Sequence, residues 1–145
     1  MATKIRITRT DVLKNKIVAA GWYPCLVKDI EEKAAKSDGS QNWFIKLEIK
    51  GGPHKDFIGV ESDRVFNEKA AGFAVKYFQA FGIQVGEEGG DFDFQRTKGK
   101  MVMAYWKPGK DDNGATVNRV EDFRPMDGAA QGGPAPAANE PPKVQ

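Results

Sequence analysis

Residues 42–50 read Asn-Trp-Phe-Ile-Lys-Leu-Glu-Ile-Lys, an alternation that separates two sets of side chains. Trp43, Ile45, Leu47 and Ile49 fall on one face at period two, and Phe44, Lys46, Glu48 and Lys50 on the other. An aromatic ring beside ammonium groups suits a base stacked on the ring and phosphates neutralised by lysine. A solvated strand with lysines and one stray aromatic would read the same way. Residues 100–107 repeat the combination: Val102, Ala104 and Trp106 alternate with Met101, Met103, Tyr105 and Lys107. Phe44 and Tyr105 are therefore the stacking candidates, each worth about 1 to 3 kcal/mol if a base occupies it. Trp22 is a third, on a strand whose inward face the pattern does not assign. Arg119 and Arg124 have the chemistry to touch phosphates, or to pair with Glu121 or Asp122 instead.

Other chemistries find little support. His54 is the sole histidine and follows Pro53 in a turn, where a solvated ring is the ordinary reading. Nothing near it resembles a nucleophile–base arrangement. One His and one Cys cannot make a structural zinc site of the usual composition within one chain. Asp91 and Asp93, or Asp111 and Asp112, lack EF-hand spacing, and no phosphate-binding Gly-rich loop with a following lysine occurs. The expectation is a binding protein without catalysis, cofactor or metal.

The elements that must carry these residues follow from periodicity and breakers. Residues 4–8 alternate like a short strand or an ordered arm, and 11–20 are an unassigned connector. Residues 22–30 make a first strand with Pro24 near its start. A polar loop at 33–41 leads to the second strand at 42–50. After a turn at 51–55, residues 56–61 are expected to return as strand three. Ala70, Phe73, Ala74, Tyr77, Phe78 and Phe81 then form one helical stripe, with Asn67 as N-cap and Gly82 as stop. That aromatic stripe reads as core packing. Residues 91–94 are a short strand candidate, 100–107 a clear strand, 108–114 a loop and 116–124 the last strand.

Within 145 residues, 40% hydrophobic and 29% charged, one globular domain with a polar fringe is expected. No apolar run is long enough to cross a bilayer, residues 1–10 lack a signal-peptide core, and Cys25 is the single cysteine. A reducing, cytoplasmic setting fits, with no membrane partner. Net charge is only +2, yet residues 1–50 hold ten Lys or Arg against six Asp or Glu. The division expected is a basic arm or extra strand at 1–17, a domain at 18–126, and a Gly/Ala/Pro-rich tail at 127–145. That tail lacks the large apolar residues needed to offset its ordering entropy and is expected to be disordered.

Three strands, one amphipathic helix and two more strands match the order of a five-stranded OB-fold-like barrel, whose helix lies between strands three and four. An open sheet capped by one helix would read identically. In the barrel, strands two and three and the loops after strands one and four bind oligonucleotides. Phe44, Lys46 and Lys50 lie on strand two, Lys33 and Lys36 at the first loop, and Tyr105, Lys107 and Lys110 at the other. The expectation is that these clusters converge on one groove.

The motifs Gly21-Trp22-Tyr23, Asn42-Trp43, Ile49-Lys50-Gly51-Gly52-Pro53, Phe66-Asn67-Glu68-Lys69-Ala70, Gly99-Lys100 and Asn118-Arg119-Val120-Glu121-Asp122-Phe123-Arg124-Pro125 resemble a group of small bacteriophage proteins. That group is similar to phage single-stranded DNA-binding proteins of the OB type, over residues 18–126. The resemblance implies sequence-independent coating of single strands in phage replication or recombination, inside an infected bacterium, with replication or recombination proteins as further partners. Residues 139–145 depart from it, carrying one acid and one base where an acidic tip would recruit enzymes. Weak duplex binding and a homo-oligomer stay open. The rival reading is an OB-type protein-interaction module that never touches nucleic acid.

Overall fold

The alternating segments build a single sheet of five antiparallel strands in the computed structural model, which describes residues 3–126. The strands are β1 (Gly21–Ala34), β2 (Gln41–Ile49), β3 (Glu61–Asn67), β4 (Met101–Lys110) and β5 (Thr116–Arg124), in spatial order β3-β2-β1-β4-β5. β1 is the spine. Residues 21–26 pair with β4, and residues from Cys25 onward pair with β2. A register shift between Val27 and Asp29 puts Lys28 in a bulge, which lets a 14-residue strand coil from one neighbour to the other. Pro24 is tolerated inside this strand because its carbonyl still accepts from Lys50 N at 2.8 Å.

The expected barrel closure is not made by the backbone. Among the described residues no ladder joins β3 to β5, so the sheet is open. Side chains span the gap instead. Ser62 Oγ donates to the Asn118 carbonyl at 2.9 Å, which occupies an acceptor that a ladder would have used. The Asn118 amide accepts from Val18 N at 2.9 Å and donates to the Lys16 carbonyl at 2.8 Å, tying the incoming chain to β5.

One face of the sheet makes the core. Tyr23, Cys25, Val27, Ile45, Leu47, Ile49, Val102, Ala104 and Trp106 are all essentially inaccessible, so the core register of β2 and β4 is the one their alternation predicts. The indole and thiol within it are paired: Trp106 Nε1 donates to Cys25 Sγ at 3.2 Å, and Cys25 Sγ reaches the Tyr23 carbonyl at 3.3 Å. Tyr77 anchors the aromatic cluster, its ring 4.9 Å from both Phe81 and Phe123. Its hydroxyl meets Thr97 Oγ1 at 2.6 Å, and Thr97 donates onward to the Phe94 carbonyl at 2.7 Å.

Several elements depart from expectation. Strand three is not at 56–61: Lys55–Phe57 is a 3₁₀ turn, Gly59 has φ +99°, and the strand begins at Glu61. Its core-facing positions are Ser62, Arg64 and Phe66, so polar residues hide the alternation. The helix is interrupted. Asn67 Oδ1 accepts from Lys69 N at 2.8 Å, but this caps a 3₁₀ segment, Glu68–Phe73, with non-helical dihedrals at Ala70. The α-helix proper, Ala74–Ala80, buries Ala74, Tyr77, Phe78 and Ala80, whereas Phe73 stands 70% exposed.

Residues 91–94 form no strand; a 3₁₀ turn occupies Phe94–Thr97. β4 continues through Pro108 to Lys110, into the expected loop. A short helix, α1 (Arg9–Lys14), lies in the unassigned connector, opened by a reciprocal Thr8–Asp11 capping box. With it numbered first, Ala74–Ala80 is α2. Residues 3–8 are neither strand nor helix. The tail at 127–145 lies outside the described residues. No helix among those described is long and apolar enough to cross a membrane.

Candidate nucleic-acid interface

Cross-strand pairing decides what surrounds each candidate on the outer face. On β2, Phe44 is half-buried and faces outward, between Val65 of β3 and Glu31 of β1. Lys33 Nζ lies 5.5 Å from the Phe44 ring centre and 3.2 Å from Glu31 Oε1. Lys46 stands opposite Asp29 on one side and Asp63 on the other. Asp63 is exposed, yet desolvation by its neighbours outweighs Lys46 and shifts its carboxyl upward from the ordinary value. Lys50 Nζ is 3.2 Å from Glu48 Oε2, and the bulged Lys28 is bonded to Glu61. That hydrogen bond, reinforced by the charge, raises the Lys28 ammonium.

Asp29, Glu31, Glu48, Glu61 and Asp63 are thus matched by Lys28, Lys33, Lys46, Lys50 and Lys98 across this part of the face. The cationic surface expected around strand two is charge-balanced. Lys28 pairs with acids of β2 and β3, Lys33 and Lys50 with acids two residues away in sequence, and Lys46 stands between Asp29 and Asp63 without an ion pair among the described residues.

The first loop adds little to it. Lys36 is exposed in the turn after β1, without an ion pair among the described residues. In the same loop Asp38 is held down to about 2, first by hydrogen bonds from Ser40 and then by Lys69, whose Nζ is 2.9 Å away. Convergence with the last loop is not observed. Lys33 pairs at the end of β1 opposite Asn42, whereas Trp106 pairs with Gly21 at its start. Lys107 and Lys110 lie beyond that start, so roughly 40 Å of strand contour separates the clusters. Lys107 Nζ contacts Glu121 Oε1 at 3.3 Å, and Lys110 Nζ donates to Thr116 Oγ1 at 2.8 Å.

Tyr105 has different surroundings. It pairs with Trp22 across β1–β4, edge to face with ring centres 5.5 Å apart. The guanidinium carbon of Arg124, from β5, sits 4.4 Å from the Trp22 ring centre and has no carboxylate within ion-pair distance among the described residues. One row further, Lys50 follows the β2 ladder beside Pro24, and Pro24 pairs with Met103, which pairs with Arg124. Leu26 and Met101 pair in the next row. The result is a half-buried aromatic and apolar strip with Lys50 on one flank and Arg124 on the other.

Trp22 and Arg124 are the residues whose weight sequence reasoning underestimated. Pro24 disturbs the alternation of β1 and leaves the facing of Trp22 undecided, and Arg124 acquires its partner ring only across two strands.

The chain belongs to the family described as protein of unknown function DUF669. The match runs from residue 5 to residue 136 and so takes in α1, the whole sheet and both surfaces described above. Comparison with curated proteins finds no match. The DUF669 description assigns no activity.

Proposed function

We propose that this DUF669 protein is an OB-like, sequence-independent single-stranded DNA-binding protein that contacts the strand through Trp22, Tyr105 and Arg124. The OB-like reading is supported by the long coiled β1, the helix between β3 and β4, and the approach of β3 to β5 through Ser62 and Asn118. The binding reading rests on one observation: an unpaired guanidinium lies over a partly exposed indole, next to a second ring. Bases stack on aromatic rings and on guanidinium planes alike, and a cation beside the ring is placed for the adjoining phosphate. Met103, Met101 and Leu26 extend the strip for further bases, while Lys50, Lys107 and Arg119 stand at its margins.

The phage resemblance supports the same reading and suggests a role in replication or recombination within a bacterial host. Catalysis, cofactor and metal have no part in it. The test is a titration of the full chain with labelled oligothymidylate at graded salt. Engaging Lys50, Lys107, Arg119 and Arg124 gives a slope of log affinity against log salt of roughly −3 for a single strand. Undetectable binding at low salt removes the proposal.

A second reading, a protein-interaction module that ignores nucleic acid, is favoured by the ion pairing that neutralises the β1–β2–β3 outer face. Partner capture from lysate with and without nuclease separates the two: nuclease abolishes capture under the first reading and leaves it intact under the second.

A further inference from the structure

An apolar groove of about 400 Å³ lies between the 68–75 segment and residues 85–94, remote from the Trp22 strip. Trp43, Phe66, Phe78 and Phe94 are among its walls, and Val75, 37% exposed, stands at its edge. Its charged lining residues are Glu68 and Asp91, with no lysine or arginine. Glu87, Glu88 and Asp93 adjoin it in sequence, and none of these five acids makes an ion pair among the described residues.

The complementary feature is elsewhere in the same chain. Residues 4–7 read Lys-Ile-Arg-Ile, with Ile5 83% and Ile7 64% exposed and both cations without a carboxylate partner among the described residues. An extended segment of this pattern puts isoleucines on one side and cations on the other.

We propose that the groove receives the N-terminal arm of a second copy of this chain, Ile5 and Ile7 entering the aromatic trough while Lys4 and Arg6 meet Glu68 and Asp91. The protein's own arm is badly placed for this. Thr8 caps α1, Leu13 packs at Gly59, and Arg9 Nη2 reaches the Ile58 carbonyl at 3.5 Å. That anchors the arm beside the outer face at the Ile49 end of β2, about 20 Å along the strand from Trp43. The groove opens at the Trp43 end, on the helix-covered side. An arm given to one neighbour leaves a groove free for another, so the contact is head-to-tail and can propagate. The small contact predicts weak association, loosened further by salt because its ion pairs are exposed.

Sedimentation velocity of the full chain, free of nucleic acid, tests this over a range of concentrations. Two variants are needed: the exposed pair Ile5→Asp with Ile7→Asp, which disables the arm, and Val75→Arg, which blocks the groove and repels the basic arm. Wild type is expected to form salt-sensitive oligomers, and each variant alone to associate at least tenfold more weakly. An equimolar mixture of the two should regain a dimer, because one contributes an intact groove and the other an intact arm. A wild-type monomer at every concentration, oligomers indifferent to both variants, or a mixture that stays monomeric each overturns the proposal. No outcome depends on DNA binding.

Discussion

Replacing Trp22 by alanine removes the ring on which the proposed interface is built. The indole is half-buried, carries Arg124 at 4.4 Å and touches Tyr105 at 5.5 Å, so the change deletes both the stacking surface and the partner that orients the guanidinium. A base–aromatic stack is worth about 1 to 3 kcal/mol, which is roughly a 5- to 150-fold loss of affinity for oligothymidylate. Trp22→Phe should retain most of the binding, since a smaller ring still stacks. Arg124→Ala should weaken binding and reduce the salt slope by about 0.7, the share of one phosphate contact. The two residues touch, so the double variant should lose less than the sum of the singles. Fluorescence anisotropy at fixed low salt reads these differences, with thermal melts confirming that each variant is folded. The reasoning fails if folded Trp22→Ala binds as wild type does, or if Phe44→Ala, whose ring sits beside Glu31 and under Lys33, loses more.

Three further outcomes follow from the fold. Asn118→Ala should cost about 2 kcal/mol in urea unfolding, because two part-buried backbone groups at Lys16 and Val18 lose their partner; a change under about 0.5 kcal/mol would contradict the tie. Asp63 has a raised carboxyl, so the folded state holds its proton more firmly than the unfolded chain. Its contribution is therefore favourable in acid and lost as pH rises through the raised value. Asp63→Asn should raise the melting temperature at neutral pH and leave it unchanged in acid, and a lower neutral value would reverse the argument. Cys25, inaccessible and pushed up to about 12 by burial, should react with thiol reagents only at the rate of unfolding. Fast labelling of the native protein would show that the core opens locally.

What could be read from the chain alone differed by element, for physical reasons. β2 and β4 were legible because apolar residues recur at every second position and point into one core, whereas in β5 a register shift sets the buried Val120 and Phe123 three residues apart. β3 was not, since an edge strand tolerates Ser62 and Arg64 on its inner side. The Arg64 Nε atom is in fact buried without a partner, a cost that a pattern reading would not assign to a strand interior. α1 escaped notice because no residue in it is fully buried, so it has no stripe to detect. The helix start was blurred by Ala70 and by an exposed Phe73 that continued the apparent stripe.

The site posed a harder problem. The outward position of Phe44 and Lys46 followed from β2 alone, but the charge of a surface is summed over neighbouring strands. Asp29 and Glu31 arrive from β1, and Glu61 and Asp63 from β3, through a register that includes a bulge. The same summation gives Trp22 its arginine.

Photo-crosslinking tests the central claim most directly. The full chain is bound to an oligonucleotide carrying 5-iododeoxyuridine, irradiated and digested, and the attached peptides are identified. The account predicts adducts on Trp22 and Tyr105, suppressed by Arg124→Ala. Adducts confined to Phe44 or to the first loop around Lys36, or none under conditions where the oligonucleotide is bound, would contradict it.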